Sequence, residues 1–200
     1  MPTILALSST VAVGHVGLAA ITPAASLAGG TVWGLPTITL SNHPGFPVFA
    51  GARTDPDDLR RMIDAIAEGG WLGRARALLT GYLPSADHVT VAVELVERMR
   101  KISPATEIIC DPILGDDPKG IYIDRAAADA IRDRLVPLAD CILPNRFELE
   151  WLSGISVQDP QTAARAAKKL ARPQVIAKSI PDGLDHLANV EVVSDRATYT

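Results

Sequence analysis

The chain has almost no cysteine, few aromatics and, over its first quarter, no charge. Two cysteines among 200 residues, Cys110 and Cys141, form neither a CxxC nor a metal-ligand spacing, which argues against a disulfide framework and for a reduced, cytoplasmic setting. Aromatic residues make up 4%, so Ala, Val, Leu and Ile have to build the core. The first charged side chain is Arg53. Residues 1–52 nevertheless read neither as an export signal nor as a membrane span. No basic n-region precedes the apolar part, and His15, Pro23 and repeated Ser and Thr interrupt it. A basic stripe is absent too, and the net charge is -4, which argues against nucleic acid and anionic membrane as partners. The usual phosphate loops are also missing. No Gly-x-Gly occurs, and although Gly115 and Gly120 have the Walker spacing, Ile121 stands where the lysine belongs.

What is present is an alternation of short apolar runs with helical patterns. Two hundred residues, 48% of them hydrophobic, suit one α/β domain with a sizeable core. Strands are predicted over residues 3–8, 31–35, 37–41, 77–80, 107–110, 140–143 and 175–178. Residues 9–17 read as the turn leaving the first strand, and residues 42–51, rich in Pro, Gly and Phe, as a flap-like loop after a strand pair. Helices are predicted over residues 16–28 with a kink at Pro23, from the Thr54-Asp55-Pro56 start, over 85–101 and 124–135, from Asn145 to near Gly154, and from Asp159 to about Leu170. Strands alternating with helices imply a mostly parallel sheet with right-handed crossovers and helices on both faces.

The centre of this organisation is Ile108-Ile109-Cys110-Asp111-Pro112. An apolar, β-branched run cut off by proline reads as a buried strand that delivers a carboxylate to its C-terminal tip. Ligands of open parallel sheets bind at that edge. Taken alone, Asp111 reads first as a turn cap. A second copy follows in Cys141-Ile142-Leu143-Pro144-Asn145, with Glu148 three residues beyond Asn145, so neighbouring tips offer Asp111, Asn145 and Glu148 to one crevice. Asp111, Asp116 and Glu148 could hold a Mg²⁺ largely through water, or stand as solvated and capping carboxylates. Lys178 adds a positive charge to the same edge or is a surface lysine. Ser9 sits where a hydroxyl could fix a polar ring, and Tyr82 either stacks on a ligand or packs. His43 reads as a structural hydrogen-bonder, and neither cysteine reads as catalytic.

Taken in order, Ser9-Thr10-Val11, Gly14-His15-Val16-Gly17, Ser41-Asn42-His43-Pro44-Gly45, Thr80-Gly81-Tyr82-Leu83, Cys110-Asp111-Pro112-Ile113-Leu114-Gly115 and Pro144-Asn145 to Glu148 resemble the successive blocks of pyridoxal kinases in the ribokinase-like superfamily. The resemblance covers residues 3 to 180. It implies a three-layer αβα sandwich that transfers the ATP γ-phosphate to the 5'-hydroxyl of pyridoxal, pyridoxine or pyridoxamine. It further implies that Ser9, Val16 and Tyr82 line the vitamin pocket. Asp111, Asp116, Asn145 and Glu148 would organise Mg²⁺ and triphosphate, with Asp111, Asp116 and Glu148 at the metal and Lys178 along the nucleotide. A monovalent cation and a cytoplasmic homodimer belong to the same expectation.

The chain departs from the family pattern at Thr10, where His is frequent, at Leu18, where Asn is frequent, and at Pro44, where Thr is common. It also contains no Gly-x-Gly-Asp segment, whose backbone N–H groups and Asp would supply the anion hole and catalytic base, so the C-terminal part of the fold is expected to be missing and turnover weak. The rivals are a non-catalytic vitamin B6-binding fragment or partner subunit, and a kinase for a hydroxymethylpyrimidine.

Overall fold

The structure, a computed structural model describing residues 1–194 and 196–200, is built on a nine-stranded sheet. In chain order the strands are β1 (Thr3–Val13), β2 (Thr31–Asn42), β3 (Gly51–Arg53), β4 (Ala77–Thr80), β5 (Glu107–Cys110), the small hairpin β6 (Gly115–Asp116) and β7 (Gly120–Ile121), β8 (Cys141–Ile142), β9 (Gln174–Asp182), β10 (His186–Val193) and β11 (Arg196–Tyr199). The main sheet runs β11-β10-β9-β8-β5-β4-β1-β2-β3. From β9 to β2 every neighbouring pair is parallel, and antiparallel strands close both ends.

The helices are α1 (Leu18–Leu27), α2 (Pro56–Glu68), α3 (Ala86–Ile102), α4 (Arg125–Ala130), α5 (Arg146–Ser153) and α6 (Pro160–Lys169). The chain steps one way from β1 to β2 and the other way from β2 through β4, β5, β8 and β9. Right-handed crossovers therefore place α1 on one face and the later helices on the other. This is the expected three-layer αβα arrangement, with one layer much fuller than the other. α3 buries Val89, Ala92, Val96 and Met99, the face its 3.6-residue spacing predicts.

Several boundaries differ from the sequence reading. β1 does not end at Ser8 but continues to Val13, because Ser9 to Val13 keep pairing with Ile38 to Asn42; Ser9 thus lies inside the strand and not at its tip. β2 is one strand instead of two. Pro36 does not break it, since β3 pairs only with Ile38 to Leu40, leaving the earlier half as an edge where a missing N–H is tolerated. The register slips between Ser8 and Ser9, which sets Thr37 apart as an extra, fully buried residue. Pro23 stays within a continuous α1. The helix expected to reach residue 135 is α-helical only to Ala130 and continues as a π turn over Ile131–Leu135.

Candidate functional site

Parallel pairing brings the strand ends to one edge. Thr80 stands beside Cys110, and Cys110 beside Ile142, while Asn145 bridges to Lys178 just beyond them. Asp111 leaves β5 with its N–H donating to the Thr80 carbonyl at 2.8 Å. Its Oδ1 accepts from the Lys178 Nζ at 2.9 Å. Burial pushes the Asp111 carboxyl above its ordinary value, and the Lys178 ammonium pulls the other way.

α5 begins with a reciprocal cap. Asn145 Oδ1 accepts from the Glu148 N–H, and Glu148 Oε2 accepts from the Asn145 N–H, each at 2.8 Å. The other Glu148 oxygen accepts from the Leu114 N–H at 3.0 Å. The Asn145 side-chain amide donates to the Gly115 carbonyl at 2.9 Å. The loop after β5 is therefore fastened to the start of α5. Gly115 is required at that junction, because a Cβ there would meet the Gly120 carbonyl and stand 2.6 Å from the Phe147 ring. Glu148 is 2% exposed, and burial outweighs its two backbone donors, pushing its carboxyl up to about 7.

Of the expected metal-edge residues, Asp116 is exposed and its Oδ1 accepts from the Asp117 N–H at 2.9 Å. Among the described residues no three His, Cys, Asp or Glu side chains converge tightly enough to hold an ion directly. An all-oxygen set spread over one edge, with both Glu148 oxygens already accepting N–H groups, fits a Mg²⁺ held through its own waters. Tyr122, which directly follows the β6–β7 hairpin, belongs to this neighbourhood. Although Tyr122 is 48% exposed, partial desolvation and then the Glu148, Asp116 and Asp111 carboxylates push its phenol up. The signal available in sequence was its place directly after the Gly115-to-Gly120 turn. Arg146 was missed as well and pairs with Asp117 at 2.6 Å. Burial pushes the Cys110 thiol up to about 12 and that of Cys141 up to about 11, so neither supplies a thiolate.

The second cluster lies around the far end of β1. Gly17 packs so closely on Ser9 that a Cβ would strike the Ser9 carbonyl, placing Val16 beside Ser9. The Tyr82 N–H donates to the Ser8 Oγ at 3.4 Å, and the Tyr82 carbonyl accepts from Thr37 Oγ1 at 2.6 Å. Tyr82 itself is half-buried against the core. Ser8 and Thr37, not Ser9, hold the Tyr82 backbone, while Ser9 packs against Gly17. In the flap, His43 Nδ1 accepts from the Gly45 N–H at 3.0 Å, a structural hydrogen bond.

Sheet order and helix layers are those of a ribokinase-like fold, and the phosphomethylpyrimidine kinase family model matches residues 32–197. The chain belongs to the pyridoxal kinase family. It is 36% identical to pyridoxal kinase PdxY of Granulibacter bethesdensis over 86% of this chain and 60% of that protein. To pyridoxal kinase PdxY of Leifsonia xyli it is 33% identical over 98% of this chain and 71% of that one. The pyridoxal kinase of Leishmania donovani in complex with ADP and pyridoxine superposes with a TM-score of 0.91 at 30% identity, over 98% of this chain and 69% of that one. The chain spans about three fifths of the length of several curated relatives that it matches.

Proposed function

We propose that the protein phosphorylates the 5'-hydroxyl of pyridoxal, and of related B6 vitamers, with Mg-ATP. The observation that carries this reading is the linked edge of Asp111, Lys178, Asn145 and Glu148, with the Tyr82 loop leaving β4, the strand next to β5. A phosphate donor and an alcohol acceptor need two such adjoining sites. In this reading Ser9 contacts the pyridine ring and Val16 and Tyr82 line its pocket. Asp111, Asn145, Glu148 and Lys178 hold the nucleotide. Asp111, Asp116 and Glu148 hold Mg²⁺ through water, and a monovalent cation assists. Mg²⁺, when bound, neutralises charge on the phosphates. The chain's own residues position the two substrates and exclude water between them. These 200 residues contain no Gly-x-Gly-Asp, the segment to which the resemblance assigns the base that takes the hydroxyl proton. A cytoplasmic setting rests on the cysteine usage and the resemblance, and a homodimer on the resemblance alone.

The relatives support a vitamin B6 substrate, since one solved neighbour contains ADP with pyridoxine and another ADP with pyridoxamine. The family model's description, phosphomethylpyrimidine kinase, keeps the hydroxymethylpyrimidine reading as the alternative. Competition binding separates them. Pyridoxal should displace a bound pyridoxine probe at least about tenfold better than hydroxymethylpyrimidine, which corresponds to ~1.4 kcal/mol. The reverse order would overturn the assignment.

A further inference from the structure

Outside the ligand-facing residues, one buried polar chain joins three separate segments. His88 lies in the first turn of α3 and is 3% exposed. Its Nε2 lies 2.8 Å from the Thr54 carbonyl. A carbonyl only accepts, so Nε2 carries the proton and the neutral ring's Nδ1 accepts from the Ser85 hydroxyl, 2.7 Å away. Burial favours that neutral form.

From Thr54 the chain of bonds continues. The Thr54 N–H donates to the Thr37 carbonyl at 3.0 Å, and its Oγ1 donates to the Pro36 carbonyl at 2.6 Å. Thr37, the extra residue of β2, donates from Oγ1 to the Tyr82 carbonyl at 2.6 Å. Ser85 and Tyr82 belong to the loop leaving β4, whereas Thr37 and Thr54 stand at the two feet of the β2–β3 hairpin that carries loop 43–50. With the backbone from Tyr82 to Ser85, these bonds close a ring: His88 to Thr54, Thr54 to Thr37, Thr37 to Tyr82, and Ser85 back to His88.

Apolar packing cannot replace this ring. Removing His88 would leave a desolvated carbonyl at Thr54 and free the Ser85 hydroxyl, while the helix itself needs neither bond. The effect should therefore concentrate on the relative placement of hairpin and loop.

We propose that His88 is a positioning residue that, through Thr54 and Thr37, fixes the base of the β2–β3 hairpin against the Tyr82 loop and so sets the shape of the vitamin pocket. The inference rests on the reading above that Tyr82 lines that pocket. It gives His88 no contact with substrate and no part in nucleotide binding.

The test uses the 200-residue chain with His88→Ala, His88→Gln and Thr37→Val. Three readouts are taken: pyridoxal affinity, Mg-ADP affinity, and hydrogen exchange at the amides of residues 37–54 and 81–85. His88→Ala should weaken pyridoxal by about fivefold or more while leaving Mg-ADP within about twofold, a size set by one buried hydrogen bond. It should also speed exchange in both segments. His88→Gln, whose amide can donate to the Thr54 carbonyl and accept from Ser85, should restore affinity to within about twofold of the parent. Thr37→Val, which keeps shape but loses the donor to Tyr82, should repeat the alanine pattern and decides the matter if His88→Ala does not fold. Equal weakening of both ligands, unchanged exchange, or a glutamine variant as impaired as alanine would each overturn the proposal. A parent chain that binds Mg-ADP but no pyridoxal would instead overturn the functional reading and the pocket-shaping role with it.

Discussion

Lys178 and Asp111 lie 67 positions apart in sequence and meet at 2.9 Å, reaching across the tip of β8 from the middle of β9 and the end of β5. The pair is partly exposed, with side-chain accessibilities of 39% and 27%, so it is weak as a stabilising contact. Its value lies in preorganisation. It keeps a cation and a carboxylate facing one another at the edge where a metal-bound triphosphate would need both.

Neutralising the two most buried carboxyl groups of that edge removes its attraction for Mg-nucleotide. Asp111→Asn combined with Glu148→Gln should weaken Mg-ATP by about tenfold or more, since charge-assisted contacts contribute roughly 1.5–3 kcal/mol each. Calorimetric titration of parent and double variant measures this. Equal affinities, with measurable binding by the parent, would remove these residues from the nucleotide site.

The protonation of Glu148 gives a pH signature. Its carboxyl is held near 7 against an ordinary 4.5, so the native chain binds this proton more tightly than the unfolded chain. The stabilisation is complete below about pH 4.5 and is lost as pH climbs through about 7, a change on the order of 3 kcal/mol. Glu148→Gln should lack this slope, although it is less stable at low pH because the Leu114 and Asn145 N–H groups can no longer both be satisfied. Urea unfolding of both proteins from about pH 5 to about pH 8 should show the stability gap narrowing as pH rises. A constant gap would mean that Glu148 titrates normally.

Gly17 combines a φ of +56 with its close approach to Ser9. Alanine there is strained and collides with backbone, which cannot move aside as a flexible side chain would, at a cost of about 2–4 kcal/mol. Gly17→Ala should lower the melting temperature and impair pyridoxal binding more than Mg-ADP binding. Unchanged stability together with unchanged pyridoxal affinity would separate Ser9 and Val16 from the vitamin pocket.

The strand-tip edge of Asp111, Asn145 and Glu148 was legible because its signals are local. Pro112 and Pro144 each cut an apolar run just where a polar residue emerges, and Asn145 with Glu148 is a capping pattern complete within four positions. Non-local pairing hid the rest. The extension of β1 past Ser9 depends on β2, which lies more than twenty residues away in sequence, and a segment punctuated by Gly14 and Gly17 looks like a turn without it. The continuity of β2 through Pro36 depends on the short reach of β3. The union of Asp111 with Lys178, and the ring from His88 to Tyr82, exist only once distant segments pack. Asp116 and Tyr122 show the intermediate case, where the glycine turn that carries them is readable but the direction of its side chains is not.

Pyridoxal 5'-phosphate formation with Mg-ATP tests the central claim most directly. The assay should follow the 200-residue chain beside a version lengthened in frame with the C-terminal part of a full-length relative, after circular dichroism shows both folded. The lengthened protein should phosphorylate pyridoxal at roughly 1–100 per second and hydroxymethylpyrimidine far more slowly. The 200-residue chain should run at least about a hundredfold below it, because oxyanion-type donors and a general base each contribute about 10² or more in rate. Turnover by the shorter chain within about tenfold of the longer, or a lengthened protein that phosphorylates hydroxymethylpyrimidine and not pyridoxal, would contradict the account.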